Sequence, residues 1–429
     1  MGTALKNIPS IRYSSYKDSG IEWVEDVPAH WEVKKFKRVF YEIKKRSNPD
    51  LNCGSISFGR VVYKDDEKIP ESTKKSYQVV KKGDFLVNPL NLNYDLISLR
   101  IALSDIDVVV SSGYIVLSNS VKLDKTFYKY FLHRFDVAFM KLLGSGVRQT
   151  LNWNDIANCD LIFPPLLEQT AIAAFLDRKT ALVDQAISIK QKQIELLKER
   201  RQILIHKAVT RGLNPNVKMK NSGVEWIGEI PEHWEILPGF KVYKENKSNN
   251  IGMKQKVVLS LSYGNIVIKP EEKLVGLVPE SFETYQIVKP GDIIIRCMDL
   301  QNDKTSLRTG IAMNDGIITS AYLNLNIING NNSDYMYNFL HSLDTTKVLY
   351  KFGTGLRQNL NYSDFKRMPI LVPLKVEQNQ IVEFIEKLKK KIATAISLKE
   401  QEIEKLKEYK ATLINSAVTG KIKVYNDAK

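Results

Sequence analysis

Cysteine is scarce in this 429-residue chain, and the three present (Cys53, Cys159, Cys297) stand far apart. That spacing argues against a disulfide framework and a zinc finger, and it fits a reduced, cytoplasmic setting. There are only five histidines, and His133, His206 and His341 share no spacing that would hold a metal. No uncharged apolar run reaches the ~18 residues of a membrane-spanning helix. The opening stretch, MGTALKNIPSIRYSSYKDSG, lacks an apolar core, so no secretory signal is expected. A G-x-x-x-x-G-K-[ST] phosphate loop is missing, as is any glycine-rich strand-to-helix turn that would suit a dinucleotide or S-adenosylmethionine.

What the chain does have is positive charge: 63 Lys and Arg against 48 Asp and Glu give a net charge of +15. Such an excess points to a polyanionic partner, nucleic acid foremost, although an acidic membrane would also suit it. The hydrophobic fraction is 43%, enough for real cores. At roughly 100–200 residues per domain, the length allows two to four domains.

The sequence also repeats itself. Ser19-Gly20-Ile21-Glu22-Trp23 with Pro28-Ala29-His30-Trp31-Glu32 returns as Ser222-Gly223-Val224-Glu225-Trp226 with Pro231-Glu232-His233-Trp234-Glu235. Ser57-Phe58-Gly59 returns as Ser262-Tyr263-Gly264, and Lys81-Lys82-Gly83-Asp84 as Lys289-Pro290-Gly291-Asp292. Gly144-Ser145-Gly146-Val147-Arg148-Gln149 returns as Gly353-Thr354-Gly355-Leu356-Arg357-Gln358, and Ala208-Val209-Thr210 as Ala417-Val418-Thr419. Order held over the whole length identifies a tandem duplication.

Each half divides again. Residues 1–162 and 213–371 mix short β-rich runs, such as Val108-Val109-Val110 and Ile293-Ile294-Ile295, with turn signals and helical stretches, which predicts α+β or α/β globular domains. Residues 163–212 and 372–429 read as helical spacers. There the series Ile172, Leu176, Lys179, Val183, Ala186, Lys190, Ile194, Leu197, Arg201, Leu204, Ala208 is matched 209 residues later by Ile381, Ile385, Leu388, Ile392, Ala395, Lys399, Ile403, Leu406, Lys410, Leu413, Ala417. Steps of three and four over about 40 residues define a seam that needs a partner helix. The other copy is the nearest candidate. The fold class expected is therefore α+β: a duplicated α/β domain plus long helix, with the two helices paired as an antiparallel intramolecular coiled coil of pseudo-two-fold symmetry. Packing of each helix on its own domain, or a homodimeric coil, are the alternatives.

Nothing in the sequence suggests catalysis. His30 and His233, each beside a tryptophan in a turn, are expected to pack or cap. Asn88-Pro89-Leu90-Asn91 is like the Asn-Pro-Pro-aromatic tetrapeptide of adenine methyltransferases only in outline, lacking the second proline and the aromatic that would clamp a base.

With the doubled Ser-Gly-x-Glu-Trp and Pro-x-His-Trp-Glu, the doubled Gly-Asp, the Gly-x-Gly-x-Arg-Gln loop, the proline before each helix and the closing Ala-Val-Thr, the chain resembles the specificity subunits of type I restriction–modification systems over essentially its whole length. The resemblance implies two target-recognition domains reading a bipartite, asymmetric duplex DNA site. It also implies helices that dock two copies of a methyltransferase subunit, with restriction subunits added outside. S-adenosylmethionine would belong to the methyltransferase, and ATP and magnesium to the restriction subunit, leaving this chain non-catalytic and without a cofactor of its own. The competing reading is a duplicated coiled-coil adaptor whose heads bind proteins.

Comparison of the two copies sorts residues by role, because positions identical in both cannot distinguish two half-sites. Arg100 and Arg308, with Arg148-Gln149 and Arg357-Gln358, are therefore candidates for DNA-backbone contact or for domain anchoring. Aligned positions that differ are candidates for base reading: Arg60 against Asn265, and Asn88, Asn91, Asn93 and Tyr94 against Arg296, Asp299, Gln301 and Asn302. Asn and Gln suit adenine, Arg suits guanine, and Asp can accept from cytosine. Polar drift in ordinary loops is the other explanation for any one of them.

Overall fold

The computed structural model describes residues 12–90, 99–140, 150–270, 272, 281–298, 306–352 and 359–424. They form two compact units, one of residues 1–189 with 401–429, the other of residues 190–400. Both are built to one plan. In the first, an antiparallel sheet runs in the order Phe40–Glu42, Ile115–Asn119, Phe85–Val87, Ile101–Leu103. In the second, the order is Tyr243–Glu245, Leu323–Ile327, Ile293–Ile295, Thr309–Ile311. Of the two central strands in each sheet, Phe85–Val87 and Ile293–Ile295 are apolar and buried at every residue, as expected where both faces of a sheet are covered.

A helix, Lys125–Phe135 or Ser333–Thr345, packs against each sheet. Each starts at a side-chain cap: Asp124 accepts from the Phe127 amide at 3.0 Å, and Asn332 from the Tyr335 amide at 3.1 Å. Such caps satisfy amides that the first helical turn leaves unbonded. A further strand, Glu32–Lys35 or Glu235–Pro238, pairs with the strand that leads into a long helix, Asp160–Phe163 or Pro369–Val372.

The long helices run Leu166–Arg211 and Lys375–Val418 without an internal glycine or proline. All 22 positions of the duplicated seam are buried or half-buried, so the three–four periodicity marks the inner face in both copies. In the first unit, Ile172 and Leu176 from the start of the first long helix share a core with Leu413, Ala417 and Val418 from the end of the second. In the second unit, Ile205, Ala208 and Val209 from the end of the first share a core with Ile381 and Ile385 from the start of the second. Start meets end in both cases, so the two helices are antiparallel. The expected α+β class and the intramolecular pairing are thus observed. Packing of each helix on its own domain, set out above as an alternative, occurs as well, since Trp31, Phe40, Phe85 and Phe131 belong to the first core and Trp234, Tyr243 and Phe339 to the second.

Each long helix stops at a glycine in the left-handed region, Gly212 (φ +73°) and Gly420 (φ +73°), which turns the chain without a Cβ penalty. Gly420 has a second reason to be glycine. A Cβ there would lie 2.4 Å from Pro28 Cδ and 3.0 Å from the Trp31 ring. Gly20 has a similar φ of +69° but open space around it. Gly420→Ala should therefore lower the unfolding free energy by about 2–4 kcal/mol, combining backbone strain with overpacking, and Gly20→Ala by only about 1 kcal/mol. Urea titrations of the two variants check this, and equal losses would show that packing against Pro28 contributes nothing.

Candidate nucleic-acid interface

The two sheet-bearing heads are fixed to the long helices through a pair of side chains in each helix's first turn. Glu168, almost fully buried, accepts from the Tyr13 hydroxyl at 2.8 Å and from Trp31 Nε1 at 3.0 Å, and its other oxygen lies 2.6 Å from His30 Nε2. In the second unit Glu377 accepts from Trp234 Nε1 at 3.0 Å and lies 2.9 Å from His233 Nε2. The repeated Pro-x-His-Trp is thus a docking element, in line with a packing role for both histidines. The neighbouring glutamine completes the attachment. Gln169 accepts from the Asp124 amide at 2.9 Å and donates to the Pro164 carbonyl at 2.7 Å, while Gln378 does the same to the Asn332 amide (2.8 Å) and the Pro373 carbonyl (2.9 Å). Both glutamines therefore hold the cap residue of the sheet-packed helix.

On the sheet of each head stands a two-residue hairpin. Gly54–Ser57 pairs with Arg60–Tyr63, and Leu259–Ser262 with Asn265–Ile268. At the tips, Phe58 (φ +47°) with Gly59 (φ +71°), and Tyr263 (φ +47°) with Gly264 (φ +77°), take the doubly left-handed turn whose twist matches the strands. Arg60 and Asn265 occupy the same place, the first residue after the turn, and both are exposed. In the second unit Tyr263 and Asn265 border a cleft of about 330 Å³ that also takes in Arg201, Lys389 and His341. It is positively lined, so it suits an anion.

The other candidates sit where a strand gives way to a loop. Asn88 follows Phe85–Val87, and its Oδ1 accepts from the Leu90 amide at 3.2 Å. Arg296 takes the matching place after Ile293–Ile295, half-buried, with its amide donating to the Arg308 carbonyl at 2.8 Å. Arg308 itself is completely buried. Its guanidinium donates to the Met298 carbonyl at 2.6 Å and to the Tyr350 hydroxyl at 3.1 Å, lying over the Tyr350 ring. Arg100 is half-buried and donates to the Leu90 carbonyl at 3.1 Å. Both arginine side chains therefore brace the root of a loop from within. Their amides are held by a second duplicated pair: Asp136 accepts from the Arg100 amide, and Asp344 from the Arg308 amide at 2.5 Å. Asn91, Asn93, Tyr94, Arg148, Gln149, Asp299, Gln301, Asn302, Arg357 and Gln358 lie outside the described residues.

Several structural residues had no sequence signal that assigned them a role. Glu168 and Glu377 look like ordinary first-turn acids. His133 and His341 are equivalent positions 208 residues apart, both under a hairpin tip, where a Cβ on Gly59 or Gly264 would come within 3.1 or 3.3 Å of the imidazole. Burial pushes the His133 pKa down to about 4, helped by nearby Lys129, and burial lowers His206 and His341 also. Among the described residues no group of side chains is arranged to hold a metal ion, and no helix is long and apolar enough to cross a membrane.

Comparison with known proteins gives a consistent answer. The model of the type I restriction modification DNA specificity domain matches twice, at residues 28–199 and 238–408. The type I restriction enzyme MjaVIII specificity subunit of Methanocaldococcus jannaschii is 24% identical, with 93% of this chain and 95% of that protein aligned. A putative type I restriction enzyme MjaX specificity subunit from the same organism is also 24% identical, over 95% of this chain and 98% of its own length. A solved structure from work on complex assembly and conformational transition of the type I R-M system superposes with a TM-score of 0.62 at 14% identity, covering 91% of this chain and 98% of that one. At that identity the likeness speaks to the fold.

The depressed histidines predict a pH dependence of stability. The unfolded chain takes up a proton near pH 6.5 that folded His133 refuses until about pH 4. Stability is therefore complete above about pH 6.5 and falls as the pH drops toward 4, His133 accounting for up to ~3 kcal/mol. His133→Gln should shrink the difference in urea midpoint between pH 7.5 and pH 5. An undiminished difference would remove His133 from the cause.

Proposed function

The chain belongs to the type I restriction modification DNA specificity family and is a non-catalytic DNA sequence-specificity subunit, and from that premise we propose how its parts divide the work. Residues 1–162 and 213–371 act as two target-recognition domains, each reading one half of a bipartite, asymmetric duplex site. Residues 163–212 and 372–429 act as helical spacers that receive two copies of a methyltransferase subunit, with restriction subunits joining outside. The methyltransferase supplies S-adenosylmethionine and modifies an adenine in each half-site. The restriction subunit supplies ATP and magnesium for cleavage of unmethylated DNA. The complex works in the cytoplasm.

One observation carries this reading: a single scaffold, built twice, bears different side chains at matching places, exposed at the hairpin and half-buried at the strand end. Arg60 and Asn265 stand at the same hairpin position, and Asn88 and Arg296 at the same strand end. Arginine pairs with the guanine major-groove edge and asparagine with adenine, so two such heads would select different bases. Asn91, Asn93 and Tyr94, and Asp299, Gln301 and Asn302, are proposed as the further base-reading residues of the two loops. Arg148, Gln149, Arg357 and Gln358 are proposed to position the backbone of the DNA or to anchor the domain. Arg100 and Arg308 serve by bracing those loops, since their guanidinium groups are engaged by loop carbonyls.

The test is to co-express this chain with its neighbouring methyltransferase and map N6-methyladenine across the host genome. A split, asymmetric motif that vanishes when this chain is omitted is the expected result. No new methylation from a folded, bound methyltransferase would reject the reading. Exchanging residues 85–100 for 293–308 should then alter one half-site and leave the other. An unchanged motif after the exchange would clear those loops of base reading.

A further inference from the structure

Each head pushes one large aromatic side chain into solvent at the tip of its hairpin. Phe58 is 90% exposed and Tyr263 91%. Each also has a backbone φ of +47°, a conformation in which the Cβ of a bulky residue crowds its own carbonyl, and which turns of this shape normally give to Asn, Asp or Gly. Neither burial nor local conformation favours an aromatic ring there. Both copies nonetheless have one, although the next exposed side chain differs (Arg60 against Asn265). Strained residues held in place by the surrounding structure are a mark of function.

The tips are held from below. A Cβ on Gly59 would approach Leu99 to 2.7 Å and His133 to 3.1 Å, and one on Gly264 would approach Leu307 to 3.1 Å and His341 to 3.3 Å. The Tyr337 hydroxyl also donates to the Gly264 carbonyl at 3.3 Å. The glycine is therefore locked against the head, and the residue before it must project outward. The same contacts set each tip beside Leu99 or Leu307, at the end of the segments proposed above to read bases.

We propose that Phe58 and Tyr263 are apolar contact points with duplex DNA, each ring packing as a wedge against the stacked bases of its half-site. Side chains of this kind in DNA-binding proteins press between or against base steps, and their contribution does not come from phosphate charge. The surroundings favour DNA over a protein partner. Each ring is a single aromatic on a turn beside polar residues. Arg60 flanks Phe58, and Arg201 and Lys389 line the cleft that Tyr263 borders, as suits a ring flanked by phosphates. A protein interface would call for a continuous apolar patch. This inference rests on the proposed DNA-reading function and adds residues to it.

The experiment uses the complex of this chain with its methyltransferase and a duplex carrying the mapped motif. Binding is measured by fluorescence anisotropy across a salt series for the wild type, Phe58→Ala, Tyr263→Ala, Phe58→Tyr and Tyr263→Phe. Each alanine variant should bind about tenfold more weakly with an unchanged slope against log salt, since stacking is lost and phosphate contacts are not. The aromatic exchanges should stay within about threefold of wild type on the same scale. Duplexes with 5-iododeoxyuridine stepped through each half-site should photocrosslink to Phe58 or Tyr263. Unchanged affinity in folded, assembled alanine variants, with no crosslink to either ring, would overturn the proposal. Loss of methyltransferase assembly with DNA affinity intact would overturn it too, reassigning the rings to a protein contact. Failure of the wild type to bind the duplex at all would instead reject the DNA-reading function on which the proposal rests.

Discussion

The structure depends on a glutamate–glutamine pair at the start of each long helix. A buried carboxylate without donors would be costly, and a buried indole N–H without an acceptor nearly as much. Glu168 and Trp31 resolve both needs at once, and Glu377 and Trp234 repeat the solution. Because Gln169 and Gln378 simultaneously hold the cap of the sheet-packed helix, each head is attached at two places to one helical turn. Gly420 and Gly212 then bring the end of the opposite helix against the same tryptophan. Head, helix start and helix end are thus joined around one side chain, so the orientation of a head on its helix pair is a property of the fold. A subunit that must present recognition residues in a set direction needs such an attachment, because a loosely tethered head would spend orientational entropy on every encounter with DNA.

How much of this could be read from the sequence follows from how local each feature is. The inner face of the long helices is legible residue by residue, since a three–four periodicity is set by neighbours within one or two turns and is duplicated at a constant offset of 209, whereas the second helix ends at Val418, short of the expected 429. Antiparallel pairing followed from the self-matching seam. The strands Val108–Val110 and Ile293–Ile295 were legible because β-branched runs have few alternatives. Glu168 was not, because its partners Trp31 and Tyr13 are 137 and 155 residues away and a first-turn glutamate normally needs no partner beyond the helix dipole. Phe58 was visible as one residue of a repeated triplet, but its exposure was not. An aromatic in a β-rich stretch is expected to point inward, and only the paired strands with Gly59 locked beneath turn it out.

The duplication also corrects an easy assumption about shared arginines. In a chain of net charge +15, an arginine present in both copies invites assignment to phosphate. Arg308 shows a different use: fully buried, it spends its donors on loop carbonyls and on Tyr350, and its amide is fixed by Asp344. What the copies must share is the frame that holds a variable loop, and a guanidinium with several donors in one plane can brace a loop root against several carbonyls at once. Charge for the DNA backbone can be dispersed, since counterion release depends on the number of phosphates neutralised and hardly on which lysine does it. Such residues need not coincide between copies.

Two kinds of interaction with DNA are therefore separated in this molecule. The dispersed positive charge provides attraction that is long in range, weakened by salt and indifferent to sequence. Discrimination has to come from side chains that meet base edges, and these require a frame rigid enough to keep wrong contacts from relaxing. In the proposed reading the hairpin tip meets that requirement: its turn is strained, its glycine is packed against an imidazole, and its flanking position is arginine in one head and asparagine in the other. A frame held by buried contacts and a variable residue held in water can change independently. On the proposed assignment, that independence is what lets one duplicated fold read two unlike half-sites.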